Sequence, residues 1–248
     1  MSGHSHWATI KRQKEAADKQ RGQIFSKLAR MITVAAKEGT DPETNFKLRL
    51  AIEKAKQANM PKENILRAIE RGGGGKQGGD WQEIIFEGYG PEGIGVMVEV
   101  VTDNKNRTTA EIKNLFENAG GSLASPGAVS FMFKKEGLIT VEKGENPEEQ
   151  ILNIMDLGVN EVEEVKDVIE VYTSPENLEE IKEKLLQAGY KVKDREIIWQ
   201  PITPVPINDQ DKAKKILNFM ERLQNHDDVQ KVYANFDISN EILSSLMN

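Results

Sequence analysis

Residues 84–102, IIFEGYGPEGIGVMVEVVT, divide the chain into two kinds of structure. Ile84–Tyr89 and Ile94–Thr102 are rich in β-branched and aromatic residues, and Gly90-Pro91-Glu92-Gly93 between them is turn chemistry, so the spacing predicts a β-hairpin. Gly88, Gly90 and Gly93 also satisfy a G-x-G-x-x-G spacing. Dinucleotide binding would need a helix to open there, with its N-terminus facing the pyrophosphate, and a strand follows instead. The hairpin reading stands, and a dinucleotide fold is set aside.

Upstream of this stretch the period is helical. From Ile24 to Lys37, the residues Ile24, Phe25, Leu28, Met31, Ile32 and Ala35 recur on one face, while Lys27, Arg30 and Lys37 form a basic stripe on the other. Thr40-Asp41-Pro42-Glu43 reads as the start of a second helix running to about Asn59. Met60-Pro61-Lys62-Glu63 opens a third to about Arg71, and the glycines from Gly72 to Gly79 end it. Residues 1–79 are therefore expected to be a basic three-helix domain with an N-terminal arm.

Downstream, Asn106–Asn118 reads as a helix, Ala128–Phe133 as a strand, Asp209–Asn225 as a helix and Val229–Phe236 as a strand. Together with the hairpin they make a discontinuous α/β sandwich-like domain, 80–133 and 203–248. Lys134 to Pro201 carries its own pattern: strand Leu138–Glu142, helix Pro147–Leu157, strands Glu161–Val165 and Val168–Thr173, helix Pro175–Ala188, strand Lys191–Trp199. The order βαββαβ predicts a ferredoxin-like domain, 134–202, inserted in the other. Pro201, Pro204 and Pro206 mark the return. The expected class is α+β, multidomain.

Composition narrows the function. The 248 residues hold 38% hydrophobic side chains and a net charge of -7, the balance of a soluble globular protein. There is no Cys, which excludes disulfides, thiolate metal sites and cysteine nucleophiles. No stretch has the roughly 18 apolar residues of a membrane span, and no secretory or myristoylation signal is visible, so a cytoplasmic location without a membrane partner is expected. The charge is divided by position. Residues 1–76 hold 16 Lys/Arg against 8 Asp/Glu, and residues 77–248 hold 17 against 32. The inserted domain alone has 17 acids and 9 bases. A basic front joined to an acidic body points to a polyanionic partner for the former and leaves the latter free for a protein partner.

The candidate site follows from this division. Lys11, Arg12, Lys14, Lys19, Arg21, Lys27, Arg30 and Lys37 are the residues expected to contact phosphates, and Trp7, His4 and His6 to contact bases or sugars. Exposed helical positions offer mostly Lys, Arg and Ser, so backbone or shape recognition is expected, of duplex DNA or of structured RNA and the ribosome. No metal is expected, because His4 and His6 lack a completing ligand set and His226, beside Asp227 and Asp228, reads as a cation at a helix end. No cofactor loop, nucleophile elbow or HExxH occurs, and Gly75-Lys76 lacks the rest of a P-loop. An enzyme is not expected. Asp103, Asn104 and Arg107 form the polar cluster to mutate first if an activity were found.

The motifs Gly3-His4-Ser5-His6-Trp7-Ala8-Thr9-Ile10-Lys11, Arg21-Gly22 with Phe25-Ser26-Lys27-Leu28, Asp41-Pro42, and Asn59-Met60-Pro61 with Asn64-Ile65 resemble the YebC/PmpR family. The resemblance continues through Glu87-Gly88-Tyr89-Gly90-Pro91, Thr102-Asp103-Asn104 with Asn106-Arg107-Thr108, Gly127 to Phe133, and Asp227-Asp228-Val229-Gln230 with Val232-Tyr233. It covers nearly the whole chain. Arg12-Gln13-Lys14 and Gly39-Thr40 depart from the family pattern, the former at the expense of one phosphate contact at most. What the resemblance implies is a three-domain protein with a central cleft, no established catalysis and a role in gene expression. Members include proteins labelled transcriptional regulators that bind promoter DNA. Others associate with ribosomes and assist synthesis of proline-rich stretches, and one is a mitochondrial translational activator of cytochrome oxidase subunit I.

Overall fold

The structure of the chain, a computed structural model, describes residues 18–74 and 81–247. In chain order the first elements are α1 (Asp18–Ala35), α2 (Phe46–Gln57), α3 (Lys62–Gly72), β1 (Gln82–Tyr89), β2 (Gly95–Thr102), α4 (Lys105–Asn118) and β3 (Ser122–Ala124). Next come β4 (Phe133–Glu142), α5 (Pro147–Met155), β5 (Glu161–Val165), β6 (Val168–Thr173), α6 (Leu178–Gln187) and β7 (Val192–Pro201). The chain ends with β8 (Val205–Ile207), α7 (Gln210–Gln224), β9 (Val229–Ala234), β10 (Phe236–Ile238) and α8 (Asn240–Met247). Two compact units result. Among the described residues, one holds 131–206 with 235–237 and the other holds the rest. β8 and β10 pair with each other in a two-stranded ladder.

In the larger unit, α1, α2 and α3 bury one apolar stripe each, with Leu28, Ile32, Leu48, Ile52, Ala55, Ile65 and Ala68 in a common core. α3 lies hard against α1, because a Cβ on Gly72 would fall 2.1 Å from the Thr33 carbonyl oxygen. The second helix does not start at Pro42. Asp41 instead closes a turn, its Oδ1 accepting from Glu43 N at 3.0 Å. The buried Asn45 caps α2, accepting from Leu48 N while its Nδ2 donates to the Ala35 and Gly39 carbonyls, both at 2.7 Å. One side chain thus begins α2 and closes the end of α1.

The same unit holds an antiparallel sheet in the order β3-β1-β2-β9, covered by α4 and α7. The hairpin is as read, β1 pairing with β2 from Gln82↔Thr102 to Tyr89↔Gly95. Phe116 of α4 and Phe219 of α7 meet edge to face at 5.0 Å over this sheet. Ala128–Phe133 is not a strand. β3 ends at Ala124, and the backbone N–H groups of Gly127, Val129 and Ser130 all donate to the Glu87 carboxylate, at 2.8, 2.8 and 2.9 Å. Those donors are spent on a side chain, so the segment cannot form a ladder. Gly127 sits at φ +90°, where a side chain would be strained.

In the other unit the antiparallel strand order is β5-β6-β4-β7, with elements in the sequence βαββαβ. The core face carries Ile139, Val141, Ile169 and Val171 under Ile154, Ile181 and Leu185, all buried. Gly137 faces Leu178 of α6, and Lys184 of α6 donates to the carbonyl of Leu157 just beyond α5, which puts both helices on one face. β8 and α8 were not anticipated from sequence.

Candidate nucleic-acid interface and the Asp228 node

Of the residues expected to meet nucleic acid, His4, His6, Trp7, Lys11, Arg12 and Lys14 lie outside the described residues. Lys19 and Arg21 belong to the first turn of α1. Lys27, Arg30 and Lys37 are turned toward partners in the same unit. Lys27 Nζ donates to the Gln224 carbonyl at 2.6 Å, Arg30 donates to the Asp227 carbonyl, and Lys37 Nζ donates to the Trp81 carbonyl at 2.8 Å. The Arg30 guanidinium also lies 5.5 Å from the centre of the Trp81 ring. Lys27 and Arg30 sit where α7 ends and its last carbonyls lack helical partners, a position that favours cations. The stripe Lys27, Arg30 and Lys37 is thus a means of docking α1 and the turn after it onto the sheet domain.

Arg30 leads to a polar node. Its guanidinium pairs with Asp228 at 3.2 Å, and Arg107 approaches the other carboxylate oxygen at 2.7 Å. Thr108 Oγ1 donates to that same oxygen at 2.6 Å and lies 2.8 Å from Thr102 Oγ1. Asn104, the cap of α4, accepts from Arg107 N at 3.1 Å, and Asp103 pairs with the Arg107 guanidinium at 3.2 Å. The Asp228 side chain is 4% exposed, that of Arg107 43% and that of Arg30 21%, so a buried anion is reached by two partly exposed cations. Burial alone would raise the Asp228 carboxyl, but the Thr108 and Arg107 hydrogen bonds and the charges of Arg107 and Arg30 hold it below its usual range. The hydrogen bond to Asp228 in turn raises Arg107.

His226 completes the cluster in a way the sequence did not suggest. Its Nδ1 accepts from Asp228 N at 3.2 Å, so the proton sits on Nε2, which donates to Glu111 at 3.0 Å. The Nε2–H tautomer meets both contacts. Glu111, His226 and Asp228 bring three ligand-type atoms within 4.8 Å of one another. A metal ion there would have to displace two guanidinium groups from Asp228 and a backbone N–H from His226, so the donor set does not fit one. The sequence singled out Asp103, Asn104 and Arg107. Nothing local signalled that Asp228, 121 positions away, holds them together.

Two family models match the chain: the TACO1/YebC protein N-terminal domain over residues 5–75, and the TACO1/YebC second and third domain over residues 81–236. The chain belongs to the TACO1/YebC family. A relative from Dictyoglomus thermophilum, called a probable transcriptional regulatory protein, is 51% identical over 99% of this chain and 100% of its own. One of the same description from Aquifex aeolicus is 46% identical over 99% and 100%. A crystal structure of a conserved hypothetical protein from Aquifex aeolicus superposes with a TM-score of 0.88 at 46% identity, covering 96% of this chain and 99% of that one. The Asp228 node therefore lies within the part matched by the TACO1/YebC second and third domain, and the basic stripe within the part matched by its N-terminal domain.

Proposed function

We propose that the protein is a non-enzymatic, cytoplasmic nucleic-acid-binding regulator of gene expression, with duplex DNA as the partner. Lys11, Arg12, Lys14, Lys19 and Arg21 make the phosphate contacts, His4, His6 and Trp7 touch bases or sugars, and Lys27, Arg30 and Lys37 add positive potential from their docked positions. The observation that carries this reading is the division of charge, 16 Lys/Arg against 8 Asp/Glu in residues 1–76 and 17 against 32 in the remainder. An acidic body is repelled by the polyanion that attracts the front and stays available to a protein partner. The name borne by the relatives, probable transcriptional regulatory protein, points the same way. Poverty of base-reading side chains on α1 suits structured RNA equally, which makes a ribosome-associated translation factor the second reading. In domain terms the proposal keeps a 1–79 helical module, a discontinuous 80–133 and 203–248 module, and a ferredoxin-like insert at 134–202. The strand order β5-β6-β4-β7 supports the last of these.

The test is binding of full-length protein to duplex DNA, ribosomal RNA and intact ribosomes across a salt series. Neutralising about five phosphates gives a log-log slope of roughly -4, and K11Q/R12Q/K14Q makes it shallower by about 2.7. A flat salt response removes the proposal, and the tightest of the three targets at one salt concentration separates the two readings.

A further inference from the structure

Four residues, 58–61, join α2 to α3, and their construction is specific. Asn59 stands in the left-handed region at φ 58°, Met60 N donates to the Ala55 carbonyl and Asn59 N to the Lys56 carbonyl, both at 2.9 Å. This pair of bonds around a left-handed residue closes α2. The Pro61 carbonyl then accepts from Asn64 N and Ile65 N, at 2.9 and 3.3 Å, and α3 begins. Ala55, Met60, Ile65 and Ala68 are 0%, 6%, 6% and 2% exposed, so a small side chain lies where the two helices approach and the turn is pinned to the common core. α1 packs against both helices. Two helices joined by a tight turn and backed by a third have the build of a helix-turn-helix unit.

The side of α3 turned away from this core faces solvent. Lys62, Glu63, Leu66, Arg67 and Glu70 are all exposed, and at 3.6 residues per turn they share an arc of roughly 140°. Arg67 Nη2 donates to Asn64 Oδ1 at 3.0 Å and lies 4.0 Å from Glu63, which turns the guanidinium toward the N-terminal end of α3. The Arg67 and Glu63 side chains are 68% and 89% exposed, so water screens the pair and the guanidinium can exchange it for another acceptor at little cost. Residues 46–72 hold seven Lys/Arg against three Asp/Glu, a charge that complements a polyanion. On α1, by contrast, the tips of Lys27 and Arg30 rest on carbonyls of the same unit. With 11 residues α3 is roughly 16 Å long, and the major groove of B-form DNA, about 12 Å wide, admits such a helix.

We propose that α2 and α3 are a helix-turn-helix and that α3 enters the major groove of duplex DNA, with Lys62 and Arg67 on base edges and Lys56, exposed at the end of α2, on a phosphate. The inference rests on the duplex-DNA reading above and adds to it the element that reads sequence. The Arg67 fork matches the O6 and N7 acceptors of guanine, and Lys62 reaches the same atoms as a point charge. Glu63 accepts from the cytosine amino group, and Leu66 meets a thymine methyl. In A-form RNA the major groove is too narrow for side chains to read, so α3 adds no sequence preference there.

The test uses full-length protein and a pool of DNA duplexes whose central base pairs are random. Repeated selection is expected to enrich a short motif containing guanine. On a selected duplex, dimethyl sulfate should show protection of guanine N7, which lies in the major groove. R67A, checked for an unchanged circular dichroism spectrum and melting temperature, is expected to lower the preference for selected over random duplex by about tenfold. K56Q should instead weaken both alike and make the log-log salt slope shallower by about 0.9. Protection confined to adenine N3, in the minor groove, overturns the proposal, and so does a preference that survives in both R67A and K62A. Failure to enrich any sequence, with salt-dependent duplex binding retained, overturns it while the duplex-DNA reading stands. A flat salt response removes both, so the two failures are told apart.

Discussion

Asp228 shows how much one buried carboxylate can organise. It receives Arg30 from α1, Arg107 and Thr108 from α4, and its own backbone N–H holds His226. Removing a buried ion-pair partner leaves the other charges uncompensated, which costs 3–5 kcal/mol when both are buried. Arg107 and Arg30 are partly exposed and water screens them, so Asp228→Ala is expected to lower stability by about 2–3 kcal/mol in urea unfolding. R107K, which keeps the charge but loses the planar fork shared by Asp228 and Asp103, should lower it by about 1 kcal/mol. A second prediction concerns pH. Asp228 and Glu87 are both held below their ordinary values of 3.8 and 4.5, so in acid the unfolded chain binds these protons before the folded one does. Their contribution is complete above the ordinary values and is lost as pH falls through the folded ones. The melting temperature should drop as pH falls below 4.5, and E87Q and D228N should each flatten that dependence while lowering the plateau. A plateau that persists unchanged in acid, with wild type and both variants parallel, contradicts the assignment.

At the scale of elements, the Glu87 carboxylate decides the path of a whole loop. It sits on β1 and gathers three backbone N–H groups from residues 127–130. Burial raises its carboxyl, and these bonds lower it by more. Gln at this position offers one acceptor oxygen and turns an amide N–H₂ toward donors, so E87Q loses at least one charge-assisted bond. Amide exchange at Gly127, Val129 and Ser130 should quicken by about 100-fold, with exchange in the central β2 little changed. This loop also marks a limit of sequence reading. The hydrophobic spacing from Ala128 to Phe133 resembles a strand, and the group that forbids one is 40 positions upstream. The start of α2 was misplaced for a related reason. Asp41-Pro42 has good capping chemistry, but Asn45 reaches both α1 and α2 and wins through tertiary contact. Elements whose signals are local were legible: the β1–β2 hairpin from its turn glycines, α3 from Pro61, α7 from Asp209, and the βαββαβ order from changes of period. The Asp228 node was not, since its members approach only after the chain returns from residues 131–206.

For the whole molecule, the arrangement couples folding to ligand binding through α1. Lys27, Arg30 and Lys37 have their charged tips on carbonyls and a carboxylate of the same unit, while the proposed partner is a polyanion that attracts the same groups. Arg30 is the decisive case, because its carboxylate can be removed by one substitution. D228N keeps an acceptor oxygen for Thr108 or Arg107 and discharges the anion that holds Arg30. If the guanidinium then joins the phosphate contacts, the variant should be less stable than wild type yet bind duplex DNA or ribosomal RNA more tightly at low salt. The log-log salt slope should steepen by about 0.9, the share of one added phosphate contact. Adding R30Q to D228N should return the slope to the wild-type value without restoring stability. Should D228N leave slope and affinity unchanged, Arg30 is held by Trp81 and the Asp227 carbonyl alone, and the polyanion site ends before it on α1.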